Sequence, residues 1–440
     1  MAGKILNATN AREACLNSLV SFEKNKKYSN IELSGAVERY NFGDNNLDRG
    51  FFTRLFYGVI EKKLTLDYYI NLLCNKKIEP EILNILRMGL YQILYMDKVP
   101  DNAACNESVE LAKKSKPNNI KIGGFVNAVL RNFIRNKEEY INSIDKINDF
   151  SKHLEIKYSC CHDIINIWAE SYGLETAGKI LEASWEICGL TIAVNSLKIS
   201  REEYLKVLVS QNINAEKTES SPYGIIINGD ISVKNLHGFD DGLFFVQDEA
   251  SQICAIETGA KPGDVILDCC AAPGGKSFFM AQMMKNKGRI ICLDVHKNKL
   301  NLINSSAKRL GIDITETHEH DSAVRFDKFD IKADAVLCDV PCSGLGVISK
   351  KPEIKYKTLD EISKLPELQA KILLSCADYV KPGGTLVYST CTLNKKENEE
   401  ITDRFLRENK NFERVETKTF FPFDGKIDGF FLAKMKRGGV

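Results

Sequence analysis

The chain has 440 residues, of which 44% are apolar and 27% charged, with a formal net charge of +1. That length implies two or three domains, and that composition is ordinary for a soluble globular protein. No run approaches the ~18 consecutive apolar residues of a membrane helix. The start of the chain is charged early (Arg12, Glu13, Glu23) and lacks a secretory apolar core, so a cytosolic protein with free thiols is expected. The near-neutral charge gives no global sign of nucleic-acid binding. None of the 14 cysteines forms a Cys-x-x-Cys pair, and the doublets Cys160-Cys161 and Cys269-Cys270 suit zinc poorly. No metal site is expected, and most cysteines read as small core residues.

Residues 1–139 read as all-helical. Ile82, Leu86, Leu90, Ile93 and Leu94 recur at helical spacing. Pro100-Asp101-Asn102 breaks that helix, and a second amphipathic run passes through Val109 and Leu111. Pro117-Asn118-Asn119 is a turn, and Gly123-Gly124 opens another helix through Val126, Val129, Leu130 and Phe133. Seven basic residues and no acidic one lie between Lys113 and Lys137 (Lys113, Lys114, Lys116, Lys121, Arg131, Arg135, Lys137).

Residues 140–240 suggest a small α+β unit: a helix around Trp168, strands at Leu190–Val194 and Ile225–Ile227, and a helix starting near Ser200. From 241 to 440 strands and helices alternate. Strands are predicted at Val265–Cys270, Arg289–Val295, Ala335–Val340 and Thr385–Thr390, with a further strand region before Asp321. Gly288 and Gly311 are expected as helix stops. This pattern predicts a Rossmann-like α/β domain, a doubly wound, mostly parallel sheet. Phe430–Lys434 is a late strand, expected antiparallel at the edge.

In such sheets ligands bind at the carboxyl ends of the strands. The first strand runs through Cys270 into Ala271-Ala272-Pro273-Gly274-Gly275-Lys276, where small residues allow close backbone approach and a helix N-terminus offers N–H groups to an anion. The carboxylate of S-adenosyl-L-methionine suits that spot. Asp294 ends the next strand, where an acid bonds ribose hydroxyls, and Asp321 is placed to accept from the adenine amine. NAD is the competing ligand, but the loop lacks Gly-x-Gly-x-x-Gly.

Asp339-Val340-Pro341-Cys342-Ser343-Gly344 and Ser389-Thr390-Cys391-Thr392 end two later strands, so both cysteines emerge on the edge that carries the cofactor loop. Carbon 5 of cytosine is too weak a nucleophile to take a methyl group directly. A thiolate adding at carbon 6 activates it, helped by a carboxyl at N3, and a base then removes the C5 proton. A free thiol is only a few per cent ionised at neutral pH, so a nearby cation such as Lys276 would help.

The segments Asp268–Lys276, Asp339–Gly344 and Ser389–Thr392 resemble the motifs of the RsmB/NOP family of RNA cytosine-5 methyltransferases. Val246-Gln247-Asp248-Glu249-Ala250-Ser251, Gly344–Tyr356, Glu397-Asn398-Glu399 and Asp428-Gly429-Phe430-Phe431 agree, so the resemblance covers roughly the last 200 residues. It implies Cys391 as nucleophile, Cys342 in product release, Asp339 on the N3 and amine edge of cytosine, and Cys270–Lys276, Asp294, Asp321 and Asp339 around the cofactor. The chain departs from the family in Ser349–Tyr356, where lysine replaces arginine and Tyr356 stands for tryptophan. For Glu397 and Glu399 a simpler reading stays open, acids favouring a helix dipole.

Residues 85–94, 106–112 and 125–131 resemble the NusB family of RNA-binding helical domains, and the middle region resembles an RRM-like linking unit. This combination resembles bacterial members that act on 16S ribosomal RNA. The resemblance implies small-subunit RNA as partner, naked or partly assembled; a monomer is the default expectation, with no membrane partner. The Lys113–Lys137 stretch would meet phosphate, against the bland alternative of a solvated face. A target base must be unpaired or flipped out. A transfer-RNA substrate and a non-catalytic RNA-binding regulator are the competing readings.

Overall fold

Helical periodicity carries through into long helices in the first part of the chain. The structure, a computed structural model, describes residues 10–25, 28–40, 42, 46–185, 189–229, 231–325 and 332–439. Two compact units emerge: Met1–Glu182 with Lys350–Lys357, and Ala183–Ser349 with Thr358–Val440. Residues 140–182 fall with the first unit and 183–240 with the second.

The first unit is helical. Its long helices are Ala11–Asn25, Ser29–Tyr40, Asn46–Glu61, Lys63–Leu73, Pro80–Tyr95, Asp101–Ser115 and Ile122–Arg135, followed by shorter ones from Lys137 onward. Proline sets two of the starts, at the first position of one helix (Pro80) and just ahead of another (Pro100). The predicted stripe Ile82, Leu86, Leu90 and Ile93 is buried, as are Val126, Val129, Leu130 and Phe133. Gly89 lets the helices close up, since a Cβ there would stand 2.9 Å from both Leu130 Cδ1 and Ser108 Oγ. Arg87 is buried beneath this core but fully engaged. It grips Asp67 with two bonds of 2.7 and 2.8 Å and donates to Glu23 at 2.9 Å. A buried charge persists only with such partners.

The segment Lys350–Lys357 packs within this unit. Lys355 Nζ donates to the carbonyls of Glu61 at 3.0 Å and Tyr158 at 3.2 Å. Both carbonyls lie at helix ends, where acceptors lack intrahelical donors. Burial pulls the Lys355 ammonium down to about 8. The Tyr356 hydroxyl donates to Ile60 O at 2.6 Å and meets Ser159 Oγ at 2.9 Å. Lys355 and Tyr356 therefore cap helices, and the buried Lys355 ammonium is spent on these carbonyls.

The second unit holds two sheets. Strands β1 (Leu190–Val194), β2 (Ala215–Lys217), β3 (Gly224–Ile227) and β4 (Phe244–Val246) form an antiparallel sheet in the order β2-β3-β1-β4. The helix Arg201–Ser210 starts at a capping box between Ser200 and Glu203 and buries Tyr204 and Leu208 against it. The larger sheet contains β5 (Val265–Asp268), β6 (Arg289–Asp294), β7 (Thr315–Glu319), β8 (Ala333–Asp339), β9 (Val380–Thr390), β10 (Phe412–Phe420) and β11 (Phe430–Arg437). Their order is β10-β11-β9-β8-β5-β6-β7, parallel from β9 to β7. Both faces are covered: Ile266 and Leu337 point into one core, Leu267 and Cys338 into the other. The chain reverses its direction of winding between β5 and β8, so the loops after these neighbouring strands open at a switch point.

Two expectations are corrected. The late strand β11 is antiparallel but interior, between β9 and β10. The edge belongs to β10, whose charged residues (Glu413, Arg414, Glu416, Lys418) hid it from an apolar pattern and protect the edge from pairing. Gly288 does not stop a helix. The helix Gly275–Met283 ends earlier, and Gly288 instead lies against Asp264, whose carbonyl oxygen would be 2.4 Å from a Cβ. Gly311 does end its helix, in the left-handed conformation at φ +73°. Eight cysteines are buried, as small core residues should be, and Cys188 lies outside the described residues.

Tyr356→Phe removes the donor to Ile60 while keeping the ring. The helical unit is expected to lose about 1–3 kcal/mol, the usual cost of a buried acceptor left unpaired. Urea titration followed by circular dichroism checks this, and an unchanged midpoint would contradict the capping role.

Candidate active site

The site is built on the carboxyl ends of β5, β6, β8 and β9. After β5 the chain passes through Cys269 and Cys270 into Ala271-Ala272-Pro273-Gly274, and Gly274 caps the helix Gly275–Met283 at φ +106°. A side chain at Gly274 would meet Phe278 Cζ at 2.4 Å. Beside the loop, Asp294 closes β6. Its Oδ2 accepts from Ala272 N at 3.3 Å and its Oδ1 from His296 N at 2.9 Å. Each oxygen retains a lone pair for a diol. Asp321 follows β7, exposed, with Oδ1 accepting from Ala323 N at 3.0 Å. Burial raises the Cys270 thiol well above its ordinary value.

Two residues outside the predicted set complete the loop. Gln247 is buried, and neither its amide oxygen nor its nitrogen has a partner among the described residues. Its Nε2 lies 3.4 Å from where a Cβ on Gly275 would be. Orphaned amide atoms above a glycine cradle fit a polar ligand carrying both donors and acceptors, as S-adenosyl-L-methionine does. Asp268, the last residue of β5, accepts from Ser277 Oγ at 2.6 Å inside the first turn of the helix. Burial pushes the Asp268 carboxyl up to about 7, with Ser277 opposing and Asp339 adding to the rise.

At the centre, Lys276 Nζ is 2.7 Å from Asp339 Oδ2 and 3.3 Å from Ser251 Oγ, over the Phe430 ring. Asp339 Oδ1 accepts from Ser389 Oγ at 2.8 Å. Burial works against the Lys276 ammonium, but Asp339 outweighs it, and the sulfurs of Cys254 and Cys391 add to the rise.

Cys342 and Cys391 face each other with 3.3 Å between sulfurs. The Cys342 thiol is raised well above its ordinary value by its hydrogen bond with Cys391, then by burial and the nearby Cys391, Glu397 and Asp339 charges. The loops that carry the two cysteines are locked together. Ser343 Oγ meets Thr392 Oγ1 at 2.7 Å, Leu345 N donates to Thr392 Oγ1 at 3.2 Å, and Gly346 N donates to Cys391 O at 3.1 Å. Gly346 and Gly429 touch backbone to backbone, with Gly429 O 1.9 Å from a Cβ built on Gly346. Glycine at 429, just before β11, thus lets the cysteine loop pack against that turn of backbone. Glu399 does open a helix, Glu399–Glu408, but Glu397 is fully buried ahead of it and hydrogen-bonded to Ser343, so the dipole reading fails for Glu397.

In the helical unit, the Lys113–Lys137 stretch is partly spoken for. Lys113, Lys114 and Lys116 pair with Glu110, Glu13 and Glu79, and Lys137 Nζ donates to Ile93 O. Lys121 and Arg135 are exposed and carry no ion pair among the described residues.

A family model described as 16S rRNA methyltransferase RsmB/F matches residues 256–436. The NusB family matches 9–135, and the ferredoxin-like domain of RsmF/B-like methyltransferases matches 164–234. A Bacillus subtilis protein, probable ribosomal RNA small subunit methyltransferase B, is 37% identical over 99% of this chain and 100% of its own. The chain belongs to the ribosomal RNA small subunit methyltransferase B family. The Escherichia coli family member is 30% identical over 88% of this chain and 90% of its own. Among solved structures, the crystal structure of PH0851 superposes with a TM-score of 0.80 at 25% identity, covering 96% of this chain and 98% of that one. The ferredoxin-like match spans β1–β3 and the helix Arg201–Ser210, which identifies them as the linking unit. The cofactor of this methyltransferase is S-adenosyl-L-methionine. No helix among the described residues is long and apolar enough to cross a membrane.

The Asp268 carboxyl has a sign-definite effect on stability. Its folded value near 7 exceeds the ordinary 3.8, so its contribution is intact below 3.8 and is lost as pH rises towards 7. Relative to Asp268→Asn, the wild type should lose on the order of 3 kcal/mol between pH 5 and pH 8. Denaturant midpoints at both pH values test this. A gap that does not change with pH would mean Asp268 ionises normally.

Proposed function

We propose that the chain methylates carbon 5 of a specific cytosine in 16S ribosomal RNA, with Cys391 as the transient nucleophile. The observation that carries this reading is the pair of cysteines 3.3 Å apart, beside the Lys276–Asp339 bridge. Bound S-adenosyl-L-methionine supplies an electrophilic methyl group on a sulfonium. Asp294 would hold the ribose hydroxyls, the Ala271–Lys276 loop and helix start the carboxylate, Asp321 the adenine amine, and Gln247 a polar group above Gly275.

The chain's own residues do the rest. Lys276, charged and within electrostatic reach of Cys391, favours the thiolate that adds to C6. The C5=C6 pair becomes a C4=C5 bond and the C4=N3 pair is left on N3, which takes the proton given up by the Cys391 thiol, relayed by Asp339, and returns it through Asp339 when the ring is restored. This makes C5 nucleophilic enough to take the methyl group. Release requires loss of the C5 proton and of the C6–S bond, with the bonding pair returning to the Cys391 sulfur. Cys342, held as a thiol, passes its proton to that departing sulfur. The thiolate it becomes takes the C5 proton, so it ends as it began. The base must leave its stack to reach this pocket. The NusB-family helical domain, a monomer in this reading, supplies phosphate contacts through residues such as Lys121 and Arg135.

Cys391→Ala is expected to abolish methylation of small-subunit RNA while calorimetric cofactor binding survives; normal turnover would move the nucleophile elsewhere. Cys342→Ala with cofactor and RNA should give a slow-migrating protein–RNA adduct on a denaturing gel, lost when Cys391 is also replaced. Asp294→Ala should weaken cofactor binding by on the order of 10- to 100-fold, as loss of hydrogen bonds to a charged acceptor implies. Wild-type affinity in calorimetry would refute that placement.

A further inference from the structure

Glu397 is fully buried, makes no ion pair among the described residues, and has all four of its hydrogen bonds from neutral donors. Its Oε2 accepts from Ser343 N at 2.9 Å and Gln369 Nε2 at 2.9 Å. Its Oε1 accepts from Ser343 Oγ at 2.5 Å and Asn394 Nδ2 at 2.9 Å. Its own carbonyl takes the Tyr388 hydroxyl at 2.6 Å. Burying a carboxylate is costly, and an apolar or amide side chain fills such a space with less penalty. The charge needs a reason beyond packing.

The reason lies in what the donors have in common. Gln369 Nε2 also donates to Pro341 O at 3.0 Å, so Glu397 and Gln369 hold the backbone on both sides of Cys342. The second arm reaches the other cysteine: Ser343 Oγ, having given its proton to Glu397, accepts from the Thr392 hydroxyl beside Cys391. Only a group that accepts on both oxygens satisfies this set. A glutamine would turn an N–H₂ towards either Ser343 N–H or Asn394 N–H₂, donor against donor.

We infer that Glu397 is a positioning residue that aims the Cys342 thiol at the Cys391 sulfur for product release. The inference rests on the reading of Cys342 proposed above. Cys391 follows Thr390, the last residue of β9, which the β11 ladder holds opposite Phe431, and Glu397 reaches it only through Ser343 and Thr392, so its attack depends less on Glu397 than the aim of Cys342 does. A loosened Cys342 therefore impairs release and leaves addition intact.

The test compares wild type, Cys342→Ala and Glu397→Gln, each with S-adenosyl-L-methionine and naked 16S ribosomal RNA. First-turnover methylation, steady-state turnover and covalent adduct on a denaturing gel are read together. Glu397→Gln is expected to methylate in its first turnover, to accumulate adduct as Cys342→Ala does, and to turn over on the order of 10- to 100-fold more slowly, the scale of a small misplacement at a reacting centre. General destabilisation would lower the active fraction without building up adduct. Adduct with Cys342→Ala but none with Glu397→Gln overturns the inference and leaves the mechanism standing. Adduct with neither, while the wild type methylates, overturns the role of Cys342 and this inference with it. If Glu397→Gln does not fold, Ser343→Ala removes the hydroxyl arm alone. Accumulated adduct then supports the positioning role, and wild-type release overturns it.

Discussion

The Lys276–Asp339 ion pair is the hinge of the chemistry, because each partner belongs to a different motif. Lys276 lies in the first turn of the helix that follows β5, and Asp339 ends β8. These strands are neighbours in the sheet but far apart in sequence, joined through β6 and β7. The crossover that makes a switch point thus brings the cation of the loop after β5 against the carboxylate that ends β8. Without that partner a buried ammonium tends to lose its proton. With it, positive charge persists in a water-poor pocket, where it acts more strongly on a thiolate than it would in bulk water.

Polar groups in the site fall into two kinds with different consequences. Those nearest the cysteines are paired: Ser343, Thr392 and Glu397 satisfy one another, which holds the loops that bring the two sulfurs to 3.3 Å. Those around the cofactor loop are unsaturated, with Gln247 bearing two orphan atoms and Asp294 spare lone pairs. Rigid where bonds are made and open where a ligand is to be held is the division expected of a preorganised catalyst.

Much of this was legible beforehand, and the exceptions have causes. Strand ends, the glycine loop, Asp294 and both cysteines could be placed because alternation of strand and helix puts every carboxyl end on one edge. The edge strand β10 escaped because charged residues and threonines fill most of it, a pattern that solvent exposure favours and apolar periodicity cannot register. Glu397 was misread because an acid near a helix start has an ordinary explanation, and burial depends on Gln369 and Ser343, distant in sequence. Gln247 lay within a recognised motif, but nothing local says which of its neighbours a glycine will admit. The capping role of Lys355 was not legible because the helix ends it caps lie some 200 to 300 residues away in the chain.

The charge distribution constrains how such a chain can hold RNA. With a net charge of +1 and three of the Lys113–Lys137 cations paired to glutamates, broad electrostatic attraction is weak. Counterion release scales with the number of phosphates neutralised, so a few unpaired cations such as Lys121 and Arg135 imply a shallow salt dependence. Exposed ion pairs of this sort are worth at most about 1 kcal/mol each, so RNA phosphate can displace the glutamates at small cost. Under the proposed reading, discrimination then comes from the shape of the RNA and from the pocket, where an extruded base would meet Asp339 and the two sulfurs.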